Sequence, residues 1–221
     1  MTDLEQKLEQ VRARMERAAQ RAGRNPKEIT LIAVTKIFPA ETILAAYALG
    51  LRHFGENYVQ EFERKLPALA ELAEARFHLI GHLQSNKARQ AAEIFDSIQT
   101  VDSAKLARRL DEGVEDLEVM LEVKLSPEGS KTGVDPAEVG ALADAVRSCP
   151  NLRLTGLMTM PPWSDEAEPS RPYFRSLRQL AEHHGLAKLS MGMSHDFEVA
   201  IEEGATHIRV GTALFGPRKK A

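Results

Sequence analysis

A single cysteine, Cys149, in 221 residues rules out an internal disulfide framework and cannot by itself build a Cys-rich metal site. Such sparse usage fits a reducing cytoplasm. No apolar run approaches transmembrane length, and the charged start MTDLEQKLEQ has neither the apolar core of a signal peptide nor the Arg/Ser bias of a transit peptide. A basic excess is also missing: 29 Lys and Arg against 32 Asp and Glu give a net charge of −3, which argues against nonspecific nucleic-acid binding. The tail Arg218, Lys219, Lys220 is too short to anchor the chain to a membrane. The stretch Ser130 to Gly133 (SKTG) lacks the spacing of a nucleotide-binding loop. His183 and His184 are adjacent but have no partner ligands at a metal spacing, so zinc is not supported. No linker or composition break marks a second domain. One domain over residues 1–221 is therefore expected, a normal length for one α/β barrel.

What the chain does have is an alternation of short apolar runs with amphipathic stretches, the pattern of a parallel sheet wrapped by helices. A leading helix is predicted over Leu4 to Ala22, with Leu4, Leu8, Val11 and Met15 on one stripe and Gly23 closing it. Eight strands are then predicted, at Leu31–Thr35, Arg52–Phe54, Phe77–Ile80, Ser97–Val101, Val119–Val123, Leu154–Met158, Lys188–Met191 and His207–Val210. The intervening helices are predicted at Ala40–Leu49, Val59–Ala75, Lys87–Ile94, Ala104–Glu112, Pro136–Arg147, Arg171–His184 and Phe197–Glu203. Asp135-Pro136-Ala137-Glu138 is a helix-start signal, with Asp as N-cap and Pro at the first helical position. The expected fold is an α/β (β/α)8 TIM-type barrel with an extra N-terminal helix, although periodicity alone also allows an open doubly wound sheet.

In a barrel, chemistry gathers at the C-terminal ends of the strands. Those ends carry Lys36, Gly55-Glu56-Asn57, Gly81-His82, Met158, Ser194 and Arg209-Val210-Gly211-Thr212. The runs LSMGMSHD and IRVGTALFG each read as a strand entering a Gly, Ser or Thr turn, a way of freeing backbone N–H groups for a phosphate. LIAVTK places Lys36 where a barrel enzyme presents a Schiff-base amine. A phosphate cradle with such a lysine suggests pyridoxal phosphate. Each residue also has a plainer reading: Lys36 as a solvated charge, Ser194 as the cap of a helix beginning near His195, Arg209 as a strand-end salt bridge, and Asn57 as a turn residue. His78, inside a strand, reads as a satisfied structural group.

The segments AVTK (Ala33 to Lys36), HFGENYVQE (His53 to Glu61), FHLIGHLQSNK (Phe77 to Lys87), SKTG, GLMTM (Gly156 to Met160), LSMGMSHD and IRVGTALFG run in order over nearly the whole chain. On them the chain resembles the pyridoxal phosphate homeostasis proteins, a group related to the N-terminal barrel of alanine racemase. Two departures stand out: Thr35 where the family more often has Ser, and Phe77 where Trp is common before His78. Neither removes a group that the cofactor needs.

The resemblance implies a fold-type III barrel that binds pyridoxal 5'-phosphate covalently through Lys36. Ser194, Gly211 and Thr212 would hold the phosphate, Arg209 would face the pyridine nitrogen and disfavour its protonation, Asn57 would lie near the ring, and Met158 would pack against it. An unprotonated pyridine is a poorer electron sink. Racemisation needs a second proton donor, and in the resembling racemase this is a tyrosine from another domain. Of Tyr47, Tyr58 and Tyr173, only Tyr58 is expected near the mouth. The expectation is thus a non-catalytic carrier or reservoir in pyridoxal phosphate homeostasis, monomeric, with apo forms of pyridoxal-dependent enzymes as candidate recipients. A pyridoxal-dependent racemase or lyase is the first rival, and a Schiff-base aldolase or phosphosugar isomerase the second.

Overall fold

The computed structural model describes residues 2–126 and 132–217. Ser130 and Lys131 of the SKTG stretch and the basic tail lie outside the described residues. Helix α1 (Asp3–Arg21) starts in a capping box between Thr2 and Glu5 and buries Leu8, Val11, Met15, Ala18 and Ala19. It ends where Gly23 turns to φ +64°, a conformation that glycine adopts without a steric penalty.

Eight strands follow: β1 (Thr30–Val34), β2 (His53–Glu56), β3 (Arg76–Leu79), β4 (Ser97–Val101), β5 (Leu117–Glu122), β6 (Leu152–Met158), β7 (Lys188–Ser190) and β8 (His207–Val210). They close into a parallel barrel in sequence order, with β8 returning to β1 in the register Ile32 to Arg209 and Ala33 to Val210. Closure removes the sheet edges and brings the last βα loop beside the first. The open doubly wound alternative is excluded by this pairing.

Between the strands run α2 (Ala40–Ala48), α3 (Val59–Leu69), α4 (Ala88–Ile94), α5 (Ala104–Asp111), α6 (Val139–Arg147), α7 (Arg171–His183) and α8 (Phe197–Glu202), with α9 (Thr212–Phe215) after β8. Helix α3 is shorter than its pattern predicts. Pro67 lies inside it and lacks an N–H, and the helix stops two residues later. The 3-10 turn Pro136–Glu138 precedes α6, and Asp135 caps it by accepting the Ala137 N–H at 3.0 Å. The short α9 has no counterpart among the predicted helices, because four residues show no period. No helix among the described residues is long and apolar enough to cross a membrane.

Side chains alternate across the barrel wall with the strand period of two. Phe54, Phe77, Ile98, Leu121, Ile208 and Val210 join the core between strands and helices. Their neighbours His78, Gln99, Ser190, His207 and Arg209 are buried as well, yet polar. Helix α1 closes the ring from outside by packing on α8 and α9, with Arg14 bonded to Glu198 at 3.0 Å and Arg21 to Glu202 at 2.7 Å.

Gly156 marks the tightest strand contact. The β5–β6 register shifts just before it, and a Cβ at Gly156 would lie 2.1 Å from the Lys188 carbonyl oxygen. Backbone cannot yield there as a side-chain tip can. Gly156→Ala is expected to lose about 3 kcal/mol or more of unfolding free energy, as a buried overpacking substitution. A denaturant melt checks this, and a loss below about 1 kcal/mol would contradict the close β6–β7 approach.

Candidate cofactor site

At the C-terminal ends of the strands lies a cavity of about 660 Å³ whose wall includes Lys36, Asn57, Ser194, Arg209, Gly211 and Thr212. Six expected residues from four separate loops or strands thus share one space. Met158 is not in that wall. It is fully buried on β6, paired with Ser190 of β7, and Met160 two residues on lines the cavity instead.

Lys36 follows β1 after Thr35, in a turn, and is half-buried. Asn57 follows β2. Its carbonyl oxygen lies only 2.3 Å from where a Cβ of Gly81 would stand, so a side chain at position 81 would push the loop away. The buried Asn57 Oδ1 has no hydrogen-bond partner among the described residues, an acceptor that a ligand donor would satisfy.

Ser194 does not cap a helix beginning near His195. Helix α8 starts at Phe197 behind Asp196 with no side-chain cap, whereas Ser194 Oγ accepts the N–H groups of Gly211 and Ala213, both at 3.2 Å. Two backbone donors from the β8 turn therefore converge on one oxygen, the arrangement an anion requires. The buried Asp196 holds the Ser194 loop: Oδ1 accepts from Met193 N at 2.6 Å and Oδ2 from the Ser170 hydroxyl at 2.9 Å. Gly192 permits the bend at φ +91°, where a Cβ would meet that of Ala200 at 2.5 Å. Asp196 escapes sequence reasoning because nothing in SHD marks which way its carboxylate turns.

Arg209 is only 3% exposed, and its guanidinium donates to Ser190 Oγ at 2.7 Å and to the Thr159 carbonyl at 2.9 Å. Burial lowers its pKa to about 10, so it stays cationic at neutral pH. Since a guanidinium only donates, the chain behind it has one direction. Ser190 donates to Gln99 Oε1 at 2.6 Å, Gln99 Nε2 to His78 Nδ1 at 3.2 Å, and His78 Nε2 to His53 Nδ1 at 2.9 Å. His78 is therefore the satisfied strand group that its position suggests. It must be neutral to accept from Gln99, and burial with the neighbouring His53 and His207 holds its pKa well below the ordinary value.

Tyr58 is 59% exposed and outside the cavity wall. Tyr47 lies under the Arg52 guanidinium, 4.0 Å from ring centroid to carbon. No cluster of three or more potential metal ligands forms among the described residues. At the rim Trp163 is 70% exposed, with its ring 4.2 Å from that of His195.

The closed parallel barrel has the alanine racemase fold, and the pattern described as alanine racemase, N-terminal domain, matches residues 6–219. The chain belongs to the family of pyridoxal phosphate homeostasis proteins. It is 47% identical to the pyridoxal phosphate homeostasis protein of Pseudomonas aeruginosa, over 99% of this chain and 97% of that one. It is 43% identical to the protein of that name from Escherichia coli, over 99% and 98% of the two chains. Among solved structures, PipY of Synechococcus elongatus with pyridoxal phosphate bound is 42% identical, covers 92% of this chain and all 100% of its own, and superposes with a TM-score of 0.80. Alanine racemase from Corynebacterium glutamicum shares the fold, with a TM-score of 0.67 at 20% identity over 96% of this chain and 61% of that one.

The buried histidines set an acid limit. Burial, followed by the nearby Lys188, lowers the His207 pKa from its ordinary 6.5 to about 4. Below pH 6.5 the unfolded chain takes up a proton that the folded chain refuses, so stability is complete above that pH and is lost down to about 4. His207 accounts for up to about 1.4 kcal/mol per pH unit in that window. Urea melts of His207→Gln should show a pH slope shallower than wild type by that amount, and identical slopes would overturn the assignment.

Proposed function

We propose that this protein holds pyridoxal 5'-phosphate through a Schiff base on Lys36 and serves as an intracellular reservoir or carrier of it. The observation that carries this reading is the convergence of Lys36, Arg209 and the Gly211 and Ala213 N–H groups on one cavity. The relatives' name and the pyridoxal phosphate bound to PipY support it. When bound, the cofactor supplies an aldehyde carbon with which a primary amine forms a C=N bond as water leaves.

Lys36 provides that amine from a half-buried turn. Ser194, Gly211 and Thr212 hold the phosphate, the first by rotating its hydroxyl and the others through the β8 turn. Arg209 presents a fixed positive charge to the ring nitrogen and opposes its protonation. Asn57 Oδ1 offers an acceptor beside the ring, and Met158 supports the site from the strand layer rather than from the wall.

The same arrangement supports a carrier rather than a racemase. No tyrosine stands among the described residues of the wall, and a cation opposite the ring nitrogen weakens the electron sink that carbanion chemistry needs. The reading extends to one domain over residues 1–221, acting as a monomer in the cytoplasm and loading apo forms of pyridoxal-dependent enzymes.

The test is absorption and borohydride trapping with added pyridoxal phosphate. Wild type should show a visible band that reduction fixes as an adduct on Lys36, and Lys36→Ala should show neither. No band and no adduct would sink the pyridoxal reading in favour of a phosphosugar barrel. Incubating the loaded protein with L-alanine should yield no accumulating D-alanine, and sustained racemisation would establish the rival enzyme.

A further inference from the structure

Beneath the Lys36 turn lies a buried ion cluster that the cavity does not use. Lys65 is 7% exposed on α3, at a position whose stripe partners are Val59, Phe62 and Leu69. A lysine at a core position of an amphipathic helix must find oxygens for its three N–H donors. Its Nζ reaches Glu56 Oε1 and Oε2 at 2.9 and 3.0 Å, Glu61 Oε1 at 2.8 Å, and the Thr35 carbonyl at 3.1 Å.

Those partners bracket Lys36. On its N-terminal side, Thr35 is tied four times: its carbonyl to Lys65 and to the Phe38 N–H at 3.1 Å, its hydroxyl to Glu56 Oε1 at 2.7 Å, and its N–H to the Gly55 carbonyl at 3.0 Å. On the C-terminal side, the Ile37 N–H donates to Glu61 Oε1 at 2.6 Å. Ile37 stands at φ +66°, a conformation that is a genuine outlier for a β-branched residue. Its side chain is 51% exposed, so packing does not account for the strain. The visible restraints are the carboxylate of Glu61, itself held by Lys65, and the turn closed by the Phe38 N–H on the Thr35 carbonyl at 3.1 Å, which places Ile37 at its third position.

We propose that Lys65, Glu56 and Glu61 form a positioning clamp that fixes the backbone on both sides of Lys36 and so presents its amine to the cofactor aldehyde. The clamp rests on the Lys36 reading above. None of its three side chains lines the cavity, so it acts on covalent capture and leaves noncovalent binding alone.

Lys65→Met would strand Glu56 in the interior and is expected to impair folding, so the decisive variant is Glu61→Ala, whose carboxylate is 26% exposed. With pyridoxal phosphate titrated and trapped by borohydride, Glu61→Ala should need about tenfold more cofactor to form the same Lys36 adduct, the scale of a charge-assisted hydrogen bond. Glu61→Gln keeps an acceptor for Ile37 and should recover most of the loss. In the Lys36→Ala background, noncovalent affinity measured by equilibrium dialysis should change by less than about twofold on adding Glu61→Ala. Undiminished capture by Glu61→Ala, or an equal loss of affinity in the Lys36→Ala background, would overturn the clamp while leaving the Schiff-base reading standing. No adduct on wild-type Lys36 would overturn both.

Discussion

A guanidinium with almost no solvent exposure, set in a closed barrel at the floor of its cavity, is the demand around which the interior is organised. A buried cation needs hydrogen-bond acceptors, and Arg209 finds two of them in Ser190 and the Thr159 carbonyl. Satisfying Ser190 requires Gln99, satisfying Gln99 requires a neutral His78, and His78 passes the need to His53. Four strands beyond β8, namely β2, β3, β4 and β7, thus contribute polar side chains to one ladder, and the residue after β6 adds a carbonyl. The apolar core lies mostly outside the ring, between strands and helices. That division lets the barrel be polar within and still cohere.

Closure also determines which loops can cooperate. The β1–β8 pairing puts the first βα loop, with Lys36, next to the last, with Gly211 and Thr212, although 175 positions separate Lys36 from Gly211. The Lys36 amine and the Gly211 turn are neighbours because a ring has no ends. Glycines at 81, 156 and 192 then allow backbones to approach more closely than any Cβ permits. The site is an outcome of global topology and of a few local absences of side chain.

Much of this was legible in the sequence, for physical reasons. All eight strands show as apolar runs, β4 and β8 with the predicted bounds and the others displaced by one or two residues where pairing and turn geometry decide them. Lys36, Ser194 and Arg209 show because strand-to-turn transitions flag barrel mouths. Hidden from the sequence were partners chosen by tertiary contact: Ser194 reaching to the β8 turn instead of its own helix, Asp196 turning to Ser170, and Met160 rather than Met158 in the wall. Lys65 did leave a trace, since a lysine interrupts an otherwise apolar helical stripe. An odd charge in such a stripe is informative only when its counter-charges, here Glu56 and Glu61, can be placed in space.

The one-way order of donors behind Arg209 has a consequence for proton traffic. Moving a proton along the ladder would require the Gln99 amide to rotate and His78 to exchange tautomers, each inside a packed and sealed interior. The barrel core is therefore hydrophilic without being a conductor.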